Sequence, residues 1–154
     1  MNRVPSIRLM LLAAALLLSG LVPLANAADF AVVVNTKNTY AGSPSEAKVL
    51  VARLYLKQIT SWPDGSQSKV FAAPDDSAQM AAFRERILGM SQPELVGHWL
   101  SVKQRTGETP PRAMAANTVL MKLISQYPGS MSVMLRSDAE QASVDGNLKI
   151  LLEY

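Results

Sequence analysis

Cysteine is missing altogether, and histidine occurs once, at position 98. Without thiols there is no disulfide framework, no thiolate metal site, no cysteine nucleophile and no lipid attachment through an N-terminal cysteine. A lone His98 has no second histidine with which to ligate a metal, and no Ser-His-Asp relation is visible; it reads as a helix-surface residue beside Trp99. Glycine-rich phosphate loops of the P-loop or dinucleotide type are also absent. The residue inventory therefore points away from an enzyme and calls for no cofactor and no metal. An excess of one charge is missing too. Two of the 15 basic residues, Arg3 and Arg8, lie in the first 27 positions, and all 12 acidic residues lie beyond them, so positions 28–154 carry a net charge of only +1. That near-neutral balance gives no footing for nucleic acid or an anionic membrane as partner.

What the N-terminus does contain is an export signature. Arg3 and Arg8 precede an apolar run from Leu9 to Leu18, and Ala25-Asn26-Ala27 offers the small residues a signal peptidase reads. The run is short against the roughly 20 residues needed to span a bilayer. The expectation is a signal peptide over residues 1–27 and one domain over 28–154, periplasmic or secreted, with an uncleaved anchor as the alternative. A domain of that size builds a real core without disulfides.

Along this domain, strands and helices alternate. Phe30 to Val34 is apolar and β-branched and ends in Asn35, a buried strand. Ser43-Pro44-Ser45-Glu46 combines an N-cap, a first-turn proline and a capping box, and Ala47, Leu50, Val51 and Leu54 follow on one helical face. Trp62-Pro63-Asp64-Gly65 reads as a tight structural turn, with positive φ at Gly65. Lys69 to Ala73 is a second strand, closed by Pro74. Asp75, Asp76 and Ser77 are N-cap candidates for a helix burying Met80, Phe83 and Ile87 and ending at Gly89. Ser91 and Glu94 start a third helix with Leu95, Trp99 and Val102 inward, and a fourth runs from about Ala113 to Gln126 with Met114, Met121 and Ile124 inward and Leu120 and Leu123 broadening the stripe. Met131 to Leu135 and Leu148 to Leu152 are the last strands, separated by a polar segment from Arg136 to Asn147. The pattern predicts an α/β layer architecture with a mixed, mostly parallel sheet flanked by helices.

In such sheets ligands sit at the carboxyl ends of strands, against helix N-termini. Two loops qualify, Asn35 to Ser43 after the first strand and Pro74 to Ser77 after the second, and Ser77, Asp76, Asp75, Asn35 and Thr36 group as one candidate oxyanion site. A serine hydroxyl beside unpaired helical N–H groups suits an oxyanion. The plainer reading is that Asp76 or Ser77 caps its own helix, and the adjacent carboxylates oppose a dianion unless one accepts its proton. Trp62 and Trp99 read as half-buried packing residues, and the methionines as core filler.

The order of motifs resembles a known family. Leu54-Tyr55-Leu56-Lys57-Gln58-Ile59-Thr60-Ser61-Trp62-Pro63-Asp64-Gly65 is followed by Asp75-Asp76-Ser77, then Gly89, Trp99, Gly107, Pro110-Pro111 and Tyr127-Pro128-Gly129-Ser130-Met131. This series is similar to the phosphate-binding proteins of periplasmic phosphate ABC transporters (PstS-like), in particular their short stand-alone relatives. The resemblance implies one type II periplasmic-binding-protein lobe. It further implies binding of phosphate or another small oxyanion through Asp75, Asp76 and Ser77, with ABC transporter membrane subunits as partners. Ala78 and Gln79 stand where the family carries glycine and threonine, which removes a hydroxyl donor and a flexible backbone position. The alternative function is a non-catalytic envelope interaction protein that has lost its ligand.

Overall fold

A computed structural model describes residues 29–154; the expected signal peptide and its cleavage site lie outside the described residues. The chain runs β1 (Phe30–Val34), α1 (Pro44–Tyr55), β2 (Lys69–Ala72), α2 (Ala78–Phe83), a π-helical turn (Arg84–Leu88), α3 (Gln92–Thr106), β3 (Arg112–Ala113), α4 (Asn117–Gln126), β4 (Ser130–Leu135), α5 (Arg136–Val144) and β5 (Lys149–Glu153). The five strands form one sheet in the order β3-β2-β4-β1-β5. β2 pairs parallel with β3 and β4, whereas β1 pairs antiparallel with β4 and β5. Four strands therefore run one way and β1 alone runs against them, the mixed, mostly parallel sheet that was expected.

Strand alternation divides the core in two. Val32, Val34, Val70, Ala72, Met131 and Val133 face α1, α2 and α3. Ala31, Val33, Phe71 and Met134 face α4 and α5. Period-2 alternation thus gives both faces of the sheet a helical layer.

The local punctuation acts as its residue types dictate. Ser43 and Glu46 close a capping box at α1, and Ser91 and Glu94 close another at α3. Gly65 has φ +84, as the turn requires. Trp62 is buried and donates its indole N–H to Gly129 O at 2.9 Å, which pins that turn to the start of β4.

Three local expectations need correction. The fourth helix starts at Asn117 rather than Ala113, because Arg112–Ala113 pair with Phe71 and Ala72 as β3, and Met114 N donates to Ala72 O at 2.8 Å. Leu120 and Ile124 of its expected stripe are fully buried, whereas Met114 and Met121 are only partly covered. The polar segment after β4 contains α5, whose buried residues are just Ala139 and Ala142; two small alanines leave almost no apolar periodicity to read. The second helix widens into the π-helical turn, where both Gly89 N and Met90 N donate to Arg84 O before Gly89 turns left-handed at φ +62.

Candidate functional site

The direction of β1 decides which of the expected site residues meet. Val34 faces Met131 at the start of β4, while Phe30 faces Leu135 at its end. Asn35 and Thr36 therefore lie at the amino-terminal end of β2 and β4, and Asp75, Asp76 and Ser77 at their carboxyl end. Four strand steps, roughly 13 Å, separate the two ends. The structure does not bring these two groups together.

Asn35 is also fully occupied. Its buried amide donates to Ile124 O at 2.6 Å and Ser125 O at 3.0 Å, and its side-chain oxygen accepts from Lys37 N at 2.8 Å. Ser130 Oγ donates to the same Ile124 carbonyl at 2.8 Å. These bonds close the last turn of α4, whose carbonyls have no helical donors. Thr36 is exposed beside it. Asn35→Ala is expected to lower stability by about 2 kcal/mol, because three bonds are lost: the buried Ile124 carbonyl keeps only Ser130 Oγ, and the Ser125 carbonyl and Lys37 N–H each lose the Asn35 side chain. Urea denaturation measures this, and an unchanged midpoint would remove the structural role.

The carboxyl end has a different character. Ser77 is the N-cap of α2: its hydroxyl accepts from Met80 N at 3.4 Å and donates to the carbonyl of Pro74. Of the three candidate caps, the structure uses Ser77. Asp75 and Asp76 are exposed. Arg84 Nη1 donates to Asp75 O at 3.2 Å, so a guanidinium stands against this loop, a neighbour the sequence reading missed. Helical spacing alone carries the signal for it, since Arg84 lies two turns after the cap. Tyr55 is close by; burial pushes its hydroxyl up to about 12, the Asp75 charge adds to the rise and Arg84 opposes it.

Layering gives this end its shape. The chain leaving β2 enters α2 on one face of the sheet, whereas the chains leaving β3 and β4 enter α4 and α5 on the other. Neighbouring strands whose connections depart to opposite faces leave a crevice between their carboxyl ends, the position where open α/β sheets take ligands. Arg136, the first residue of α5, follows β4 directly at this end, with its N–H on Asp29 O at 2.9 Å and its guanidinium on Glu140 at 3.1 Å. α4 and α5 begin without side-chain caps.

The single histidine has a structural position. His98 Nε2 lies 2.9 Å from Leu56 O, and its ring meets Trp99 edge-on at 5.2 Å. It ties α3 to the end of α1.

Neither a protein-family model nor a curated protein sequence matches the chain. Solved structures with the same fold do. The chain is similar to PstS from Borrelia burgdorferi (TM-score 0.59, 10% identity), with 80% of this chain and 46% of that one covered. An ABC-type phosphate transport receptor from Vibrio cholerae gives a TM-score of 0.54 at 17% identity, covering 80% and 45%. A substrate-binding protein from Clostridium perfringens, assigned to a phosphate ABC transporter and holding phosphate, gives 0.57 at 16% identity, covering 80% and 44%. The likeness is one of fold, and the chain spans under half the length of each of these proteins.

Proposed function

We propose that this lobe is an exported solute-binding module that takes a small oxyanion, phosphate foremost, in connection with an ABC transporter. The observation that carries the reading is the change of helix face at β2: beside Asp75, Asp76 and Ser77 the chain leaves β2 for one face of the sheet, while the chains leaving β3 and β4 go to the other. Similar folds in proteins described as phosphate receptors support the choice of ligand. In this reading the loop N–H groups and the Ser77 hydroxyl donate to the anion. Arg84 supplies the counter-charge, and one of the two carboxylates accepts the proton of hydrogen phosphate.

One lobe binds weakly. The outer side of the anion stays in water, where charge-assisted bonds are weakened by high dielectric and screened by salt. Ser77 must also release Pro74 O before it donates outward. Titration calorimetry of the monomer with phosphate is expected to give a Kd of roughly 0.1 mM or weaker. Ser77→Ala is expected to weaken binding about fivefold and to lower stability by about 1 kcal/mol through loss of the cap. Micromolar binding by a verified monomer would overturn the one-lobe argument.

A second reading is an envelope interaction protein that no longer binds an anion, and the commitment of the Ser77 hydroxyl to Pro74 favours it. The two separate in a thermal-shift series over phosphate and sulfate, because a ligand of the native state raises its stability. No shift at high millimolar phosphate selects the second.

A further inference from the structure

The chain that leaves α3 at Gly107 returns alongside it to Ala113, which pairs with Ala72 just before the Asp75 loop. A groove of about 290 Å³ lies between the two segments, with Trp99 and Pro110 in its apolar lining. Val96 and Leu100, one turn apart on α3, stand along it and are 49% and 59% exposed. The face thus combines a hollow with two large apolar side chains that project beside it. A surface with both parts can meet a copy of itself about a two-fold axis, each copy's projections entering the other's hollow.

Charge gives the groove a direction. Asp75 lines it at the end where α3 begins: Arg84 donates to the Asp75 carbonyl, and Arg84 and Gln92, the first residue of α3, border one further depression. Lys103 lines it near the other end, three helical turns or roughly 16 Å beyond Gln92. Neither Asp75 nor Lys103 belongs to the ion pairs formed among the described residues, Lys57–Glu108 and Arg136–Glu140. An antiparallel copy sets each Asp75 against the Lys103 of the other. The opposite flank of α3 repeats the pattern. Glu94 and Arg105 lie three turns apart on one line of the helix, acid in the first turn and base in the last. A parallel copy would put like charges together.

We infer that a second copy of this chain docks on the α3 face, antiparallel and about a two-fold axis. Val96 and Leu100 of each copy lie over the groove of the other, and Asp75 of each pairs with Lys103 of the other. Complementary rows of charge set the orientation and the choice of partner, while the apolar contact between them supplies affinity. One helix of 15 residues per copy makes a contact smaller than the roughly 800 Å² per side of a stable interface, so the dimer is a weak one. The inference does not depend on the oxyanion reading, because it is read out as mass with no anion ligand added.

Sedimentation equilibrium of the purified protein in low-salt buffer, from about 5 µM to about 500 µM, is the test. The average mass is expected to rise from that of the monomer toward twice that value, with a Kd on the order of 100 µM, and to fall back as salt is added. Leu100→Asp puts a charge in the apolar contact and is expected to weaken association at least about tenfold. Lys103→Asp and Asp75→Lys each set like charges against each other across the pair, and each is expected to weaken association by about tenfold. Mixed in equal amounts, these two variants are complementary again, and the mixture is expected to associate like the parent protein. All three positions are exposed, and circular dichroism verifies that each variant is folded. A parent protein that stays monomeric at about 500 µM overturns the proposal. So does a Leu100→Asp variant that associates like the parent, or a mixture that associates no better than its components.

Discussion

Gly129→Ala is expected to lower stability by about 3 kcal/mol or to prevent folding. A Cβ at this position would stand 1.9 Å from Gln67 O and 2.9 Å from Gln67 C. Both are backbone atoms, so no side-chain rotation relieves the clash. The approach is close because the Gly129 carbonyl accepts two bonds, from the Trp62 indole and from Lys69 N, each 2.9 Å long. Separating the two segments to admit a methyl group would break both bonds and shift β2 against β4. Gly97→Ala is the matched control. It lies within α3 with nothing inside 4 Å of an added Cβ, and should add about 0.5–1 kcal/mol through helix propensity. Urea denaturation of the two variants decides the point; similar midpoints would remove the close-approach argument.

Phe83→Ala is expected to lose about 3–5 kcal/mol, the range for deleting a buried aromatic side chain. Phe83 is fully buried where α2 meets the π-helical turn. Tyr55 meets it edge-on at 5.0 Å and Tyr154 at 5.9 Å, and Tyr154 in turn contacts Phe30 at 5.9 Å. The ring therefore joins α1, α2, β1 and the end of the chain. Phe83→Leu keeps most of the volume and should cost about 1.5 kcal/mol or less. Loss of tyrosine near-ultraviolet circular dichroism together with the lowered midpoint would identify this cluster as the source. A Phe83→Ala midpoint equal to that of Phe83→Leu would show that the cavity closes.

What the sequence made legible was written in residues with one strong local meaning. Ser43 with Glu46 and Ser91 with Glu94 marked their helix starts correctly, because a capping box satisfies backbone donors wherever it occurs. Gly65 marked a turn and Gly89 a helix end, and both are left-handed. β3 was invisible, since two residues carry no periodicity, and α5 was invisible because its inward face is Ala139 and Ala142. The candidate site failed in one respect for a deeper reason. Alternation along Phe30 to Val34 fixes which side chains face which helical layer but not which way the strand runs. Grouping Asn35 and Thr36 with Ser77 presumed a parallel β1, and the reversal of that strand puts them at opposite ends. Arg84 was missed because only its helical spacing from Ser77 points to it, and its link is to a main-chain carbonyl that residue types do not mark.

The reversed strand also sets the order in which the molecule can assemble. β1 is the first strand of the described chain, yet its two neighbours are β4 and β5, the last two. Its partners emerge roughly a hundred residues later, so the central pairing closes a loop of nearly the whole domain and raises the contact order. A ribosome or a translocation pore thus delivers Phe30–Val34, five buried apolar residues, long before anything can pair with them. Until β4 and β5 arrive, this segment is an open template for other chains. Its vulnerability to aggregation is therefore a matter of timing rather than of final stability, and is greatest while the chain is still incomplete.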